Sequence, residues 1–191
     1  MRSLLCALLL AAGAAQADTP IRPQEAARLA AFDAHFGAAM KEAMAGGARG
    51  AVDLLQEALE GAPYPAYQTT LDGDWSCRTL KLGGMGALVA YAPFDCRFTA
   101  DGDGFVFEKL SGSQRTRGRV SLIDGQMVYL GVGVVADAAP QEYAALPAEF
   151  AGDGEVQPQV ALVEQSGPDS ARLLFPAPVT ESRFDILYLT R

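Results

Sequence analysis

Residues 114–135 read QRTRGRVSLIDGQMVYLGVGVV, and this stretch decides the fold class. Polar, β-branched and aromatic residues follow one another in short runs on both sides of Asp124-Gly125, a dipeptide typical of two-residue hairpin turns. The stretch therefore predicts two antiparallel strands, from Gln114 to Ile123 and from Met127 to Val135, joined by a tight turn.

The same pattern recurs on both sides of this hairpin, from Leu71 to the C-terminus, with clusters of Gly, Asp and Pro between the runs. It predicts six further strands: Asp74 to Leu82, Ala87 to Phe98, Gly104 to Leu110, Val156 to Gln165, Ala171 to Phe175 and Arg183 to Thr190. Eight strands joined in sequence favour a mainly β, antiparallel up-and-down barrel, because closure removes exposed strand edges; an open sandwich is the alternative. Ala136 to Glu155 is the only long connection.

A region of different character precedes the strands. Apolar residues recur at three- and four-residue steps from Pro23 to about Gly46 and again from about Ala51 to Glu60, which predicts an α-helical hairpin. We expect the hairpin and its linker to occupy residues 18–66 and the barrel domain residues 67–191. The apolar stripe favours a hairpin that covers the barrel as a lid; an element that docks a partner is the alternative.

The first residues are typical of a secretory leader. Met1 and Arg2 precede an apolar run over residues 3–13, and Ala15-Gln16-Ala17 supplies small residues for cleavage, so residues 1–17 are interpreted as a signal peptide. The run is too short to span a bilayer. We expect an exported, periplasmic protein without a membrane span, or a secreted one.

Composition limits the partners. Among 191 residues, 23 acids face 15 Lys and Arg, and the net charge is −8. Nucleic acid would repel such a chain, so we expect no nucleic-acid partner. The partners left are a small-molecule ligand or an exported protein, and we expect a monomer.

Two cysteines remain once the leader is removed, Cys77 and Cys96. In an oxidising compartment such a pair is typical of a structural disulfide. A redox role would need closer spacing, and zinc would need further Cys or His ligands. The sequence predicts one disulfide, no metal site and no cofactor.

Gly73-Asp74-Trp75 at the head of the first barrel strand, together with an arginine in the last strand, resembles the Gly-x-Trp and arginine signature of lipocalins and related calycin barrels. The resemblance implies that the arginine packs over the tryptophan at the closed end of the barrel. Arg191 is the better candidate for that barrel-closing pair with Trp75, and Arg183 is the runner-up.

Five strings, in this order, resemble a family of uncharacterised exported bacterial proteins, domain of unknown function 4893. They are Cys77 to Gly83, Phe94 to Phe98, Lys109 to Arg115, Val128 to Gly131 and Glu181 to Leu187. The family carries no assigned activity, so the resemblance implies an exported domain and no mechanism.

The most unusual polar feature is a row of arginines, Arg115, Arg117 and Arg119, at two-residue steps after Ser113-Gln114. Such a row is more often the solvated outer face of a strand than an anion pocket. Arg115 stands apart because it belongs to a family-like string. We expect Arg115, Lys109, Gln114 and Ser113 to line a ligand site, with Arg115 or Lys109 orienting a polar end of the ligand. The alternative for an inward Arg115 is a buried ion pair with Glu181, Asp185 or Asp95.

These features favour a non-catalytic barrel that binds a small, mostly apolar ligand. The alternative is a protein-interaction or hydrolase-inhibitor module. A glycosidase-type enzyme ranks third, because two carboxylates at a suitable distance can come from any strands. Neither a nucleophile elbow nor a phosphate-binding loop occurs in the sequence, so no catalytic residue is predicted.

Overall fold

The computed structural model describes residues 19–135, 138–139 and 141–191, and in that part three α-helices precede nine strands. The helices are α1 (Pro23–Ala30), α2 (Phe32–Gly46) and α3 (Arg49–Leu59). The strands are β1 (Gly73–Leu82), β2 (Leu88–Ala90), β3 (Phe94–Asp101), β4 (Gly104–Lys109), β5 (Gln114–Ile123), β6 (Gln126–Val135), β7 (Val156–Gly167), β8 (Ser170–Pro176) and β9 (Phe184–Thr190). The predicted leader lies outside the described residues.

The strands form a closed antiparallel barrel. Each strand from β3 to β9 pairs with the next, and β9 returns to pair with β1 between Ser76↔Thr190 and Leu82↔Phe184. The prediction of a mainly β, eight-stranded antiparallel barrel is confirmed at this level.

One predicted strand is in fact two strands. The stretch from Ala87 to Phe98 is divided into β2 and β3, which both pair along one side of β1. Pro93 lies between them, and a proline has no N–H to donate to the ladder. The two short strands together take one place in the eight-stranded barrel.

The helical region also differs from the prediction in one respect. The helix expected from Pro23 to Gly46 is interrupted at Ala31, whose φ of −100° and ψ of 17° leave the helical range. Three helices therefore replace the predicted pair.

The inward side chains near the start of β1 fill one end of the barrel. Trp75 and Cys77 belong to this interior, and the disulfide joins Cys77 to Cys96 with the two Cα atoms 5.9 Å apart. The predicted disulfide is confirmed. The other large interior side chains are Phe98, Phe107, Tyr129, Leu173, Phe175, Leu187 and Leu189.

The expected hairpin covers the side of the barrel and does not close its open end, where α1 contributes Arg28 to the edge of the cavity. Residues of α2 and α3 contact the outward side chains of β1, β8 and β9, among them Leu80, Phe184 and Ile186. Arg172 on β8 adds a polar contact, since its guanidinium donates to the carbonyls of Ala58 and of residues 60 and 61 at the end of α3. A cation at this position favours the helix because the C-terminal carbonyls lack partners within the helix.

The long connection between β6 and β7 is held by a buried charge on α1. Glu25, only 1% exposed, accepts hydrogen bonds from Arg22, Arg28 and the Tyr143 hydroxyl. Arg22 in turn donates to the carbonyls of Pro147 and Phe150. None of the helices in the described part of the chain is long and apolar enough to cross a membrane.

Candidate binding site

A cavity of about 300 Å³ opens at the end of the barrel opposite Trp75. Its volume lies at the lower limit of typical small-molecule sites, which span roughly 300–1,000 Å³. The inward faces of several strands and the segment between β8 and β9 line it. The lining residues used below are Thr79, Lys81, Tyr91, Phe94, Lys109, Ser113, Gln114, Arg115, Thr116, Gln159, Phe175, Pro178, Val179, Glu181, Asp185 and Leu187.

A hydrogen-bonded group forms one wall of the cavity. The Thr116 hydroxyl oxygen lies 2.5 Å from the Tyr129 hydroxyl and 2.5 Å from Gln159 Oε1. Tyr129 is fully buried, and its ring folds back over Gly131, where no side chain occupies the space. Burial raises the Tyr129 pKa, so this phenol stays neutral and serves as a hydrogen-bonding group.

Lys81 sits at the cavity mouth and already holds a carboxylate. Its ammonium donates to Gln114 Oε1 at 3.1 Å and forms an ion pair with Glu181. The hydrogen bond from Lys81 lowers the pKa of Glu181. Glu181 has a φ of 70°, a backbone conformation that few non-glycine residues adopt.

Asp185 faces Lys81 across the β1–β9 ladder. Its carboxylate accepts a hydrogen bond of 2.5 Å from the Ser182 hydroxyl. Burial raises the pKa of Asp185 to about 6, and the Ser182 hydroxyl and Lys81 offset only part of that effect. Asp185 is therefore an acid that titrates near neutral pH inside the cavity.

Lys109 is a buried cation in the cavity wall, with 7% of its surface exposed. Its ammonium donates to the carbonyls of Ser111 (2.8 Å) and Gln114 (2.7 Å) and lies 3.7 Å from the centroid of the Phe94 ring. No salt bridge joins Lys109 to an acid of residues 19–135, 138–139 and 141–191. Burial, with smaller contributions from Arg115 and Lys81, lowers the pKa of Lys109 to about 8.

The arginine row divides between the cavity and the outer wall. Arg115 is exposed at the mouth and, among the residues that the structure describes, donates one long hydrogen bond, to the carbonyl of Gly112. Arg117 and Arg119 lie on the outer wall. Arg117 forms ion pairs with Glu108 and Glu142, and Arg119 forms ion pairs with Asp101 and Asp103. Alternation along β5 places Thr116, not its arginine neighbours, inside the barrel.

All four residues expected at a ligand site, Ser113, Gln114, Arg115 and Lys109, line this one cavity. Sequence reasoning did not include Lys81 in the site, and it considered Glu181 and Asp185 only as partners of Arg115, whereas Glu181 pairs with Lys81. The sequence did contain a signal for Lys81. Side chains at every second position of a strand share one face, and Lys81 lies on the same face of β1 as Trp75 and Cys77.

At the opposite end, Arg191 lies over Trp75, with the guanidinium carbon 4.2 Å from the ring centroid. Its side chain also donates to the carbonyls of Thr70, Asp72 and Pro168. The Trp75 indole N–H donates to the carbonyl of Leu71. These contacts cover the filled end of the barrel and leave the cavity as the accessible end.

Comparison with known proteins gives a family and no activity. A family model described as a domain of unknown function (DUF4893) matches residues 18–189. No curated protein and no solved structure matches the chain. Since the family model covers nearly the whole chain, the protein belongs to the DUF4893 family.

Proposed function

We propose that this protein is an exported, non-catalytic binding protein that holds a small molecule in the open end of its barrel. The observation that carries the proposal is the cavity of about 300 Å³, whose wall contains the buried ammonium of Lys109. No acid in the described part of the chain pairs with this ammonium, and a buried charge without an opposite partner costs stability, which favours a role in binding.

Export is supported by the disulfide between Cys77 and Cys96, because such bonds persist in oxidising compartments. The leader-like composition of residues 1–17 agrees with this, and the periplasm is the compartment that we favour. A lipocalin-like relationship is part of the proposal and is supported by the contact of Arg191 with Trp75.

The test is native mass spectrometry of the protein after gentle purification, with identification of any bound small molecule. Thr79→Phe fills the cavity from an inward position of β1, and Thr99→Phe, at an exposed position of β3, is the matched control. We expect wild type and the control to carry the same small molecule and Thr79→Phe to lose it. Protein that is free of small molecules in every preparation and binds none from an extract would contradict a binding role.

A second candidate function, glycosidase-type hydrolysis, draws on one observation. Asp185 has a raised pKa and nearby Glu181 a lowered one, and opposite shifts are typical of acid and base pairs. Binding ranks first because Ser182 and Lys81 already hold the two carboxylates. Hydrolysis of nitrophenyl glycosides that disappears in Asp185→Asn would reverse this order.

A further inference from the structure

The cavity mouth is a positively charged site in an acidic protein. The whole chain has a net charge of −8, yet four cations, Arg28, Lys81, Lys109 and Arg115, line the cavity, and of these Arg28 is paired with Glu25. The facing acids are Glu181 and Asp185, and the latter is partly protonated near neutral pH. The local charge therefore favours an anionic ligand group.

Two of these cations converge on one residue. Lys81 donates to the side-chain oxygen of Gln114, and Lys109 donates to its backbone carbonyl. Both ammonium groups therefore lie within hydrogen-bond distance of Gln114. An anion beside this residue has two cations nearby.

A carboxylate of the protein itself already occupies part of this position. Glu181 accepts hydrogen bonds from both Lys81 and the side-chain amide of Gln114. It is 38% exposed and belongs to the segment between β8 and β9, not to a strand of the barrel. The contact shows that these two donors accommodate one carboxylate, and an exposed side chain of this kind can be displaced.

Apolar side chains form part of the remaining cavity wall, beside the polar Thr116 and Gln159. Phe94, Phe175 and Leu187 line its inner part, and the partly exposed Tyr91 and Val179 line its outer part. A ligand with one charged end and an apolar body would contact both kinds of surface. A phosphate, with two charges, would fit less well because Glu181 and Asp185 remain nearby.

This proposal rests on the proposed function. We propose that the ligand is a small organic carboxylate, and that its carboxylate group binds Lys81, Lys109 and Gln114 in place of Glu181. The apolar body of the ligand then lies against Phe94 and Phe175. Glu181 acts as an internal competitor that holds Lys81 until the ligand arrives.

The experiment uses the disulfide-bonded protein without its leader and isothermal titration with a panel of alkyl and aryl carboxylates. Each acid is paired with its primary amide, which has the same shape and no charge. We expect the best acid to bind at least tenfold more tightly than its amide. Lys109→Met should abolish this preference, and Lys81→Met, a second cation variant, should reduce it.

The internal competitor has its own variant. Glu181→Gln removes the charge that holds Lys81, so we expect it to bind the same acid severalfold more tightly. The control is Glu142→Gln, which removes an acid that pairs with Arg117 on the outer wall. It should leave the affinity unchanged.

The outcomes separate the two proposals. Equal binding of acids and amides would overturn the carboxylate assignment and leave the binding function standing. An unchanged preference in both folded lysine variants would overturn it as well. No binding by any member of the panel, together with ligand-free protein from native purification, would overturn both. An unaltered or weaker affinity in Glu181→Gln would remove the role of Glu181 as a competitor.

Discussion

Lys81 and Asp185 are paired residues of β1 and β9, and both line the cavity, yet the Lys81 ammonium forms its ion pair with Glu181 from the neighbouring loop. Asp185 is left with a hydrogen bond from the Ser182 hydroxyl. A buried carboxylate with so little compensation resists ionisation, and this arrangement determines how stability and binding depend on pH.

The first prediction concerns Asp185→Asn. Burial raises the pKa of Asp185 from 3.8 to about 6, so the folded protein binds this proton more tightly than the unfolded chain. The contribution of Asp185 to stability is therefore greatest below about pH 4 and falls as the pH rises through 6, by about 1–2 kcal/mol after allowance for partial exposure. The variant keeps an oxygen for Ser182 and loses the charge.

We expect Asp185→Asn to be more stable than wild type by that amount at pH 8 and equally stable at pH 4, as measured by urea unfolding. Asp53→Asn, at an exposed position of α3, is the control and should change little at either pH. A gain of the same size at both pH values would contradict the explanation.

The second prediction concerns the pH dependence of carboxylate binding. The pKa of Lys109 is about 8, and its charged neighbours are Arg115 and Lys81, while Asp185 titrates about two pH units lower. If only the ammonium form of Lys109 binds the anion, the affinity is nearly complete at pH 7 and about half of that at pH 8. It then falls roughly fivefold between pH 8 and pH 9.

Titration calorimetry over this range, with an acid from the panel, measures the step. Lys109→Met should remove it and leave a flat profile. A wild-type affinity that is constant up to pH 9.5 would show that Lys109 does not hold the carboxylate.

The third prediction concerns Gly131, which faces Gly118 across β5 and β6. A Cβ atom at Gly131 would overlap the Tyr129 hydroxyl and lie 2.6 Å from the carbonyl oxygen of Arg117. Because neither the backbone nor the packed ring can move freely, Gly131→Ala should lose about 3 kcal/mol of stability.

The matched control is Gly37→Ala in α2, where a new Cβ meets no atom within 4 Å. It should gain about 0.5–1 kcal/mol, since alanine favours a helix over glycine. Thermal unfolding of the two variants measures both effects, and similar midpoints would contradict the packing argument.

The fourth prediction concerns Glu25→Gln. Burial alone would raise the pKa of Glu25, but the hydrogen bonds from Arg22, Arg28 and Tyr143 outweigh it and lower the pKa. The charged carboxylate therefore stabilises the fold above about pH 4.5, and this contribution is lost as the pH falls through the folded-state pKa. Removing the charge leaves two largely buried guanidinium groups unpaired, which costs about 3 kcal/mol.

Hydrogen exchange should show faster exchange in α1 and in residues 141–150, which Arg22 holds through Pro147 and Phe150. Glu149→Gln, an exposed change in the same segment, should leave exchange unaltered. Faster exchange spread evenly over the barrel would argue against a local contact.

The periodicity of the sequence was sufficient for most of the fold. Alternation in residues 114–135 predicted the hairpin of β5 and β6 because side chains on a strand point to opposite faces. The cysteine pair predicted the disulfide because spacing and number left few other roles. The separation of β2 from β3 by Pro93 was missed, although a proline inside a strand is a recognisable signal.

The candidate site was only partly predictable. Lys109, Gln114 and Arg115 lie close together in the chain, so one string of sequence indicated them all. Lys81, Glu181 and Asp185 are distant in sequence, and they meet because β1 and β9 close the barrel. No local pattern reports which strands become neighbours at the closure.

By itself, the sequence determined the strand pattern, the helical N-terminal region and the cysteine pair, because these depend on local periodicity and residue chemistry. The tertiary structure alone decided where the helices pack and which buried lysine has no acid beside it among the described residues. Glu181 forms its ion pair with Lys81 because the closure of β9 on β1 brings the two residues together. Lys109 instead donates to backbone carbonyls. For that reason the charge of the cavity follows from the closed barrel and not from the acidic chain.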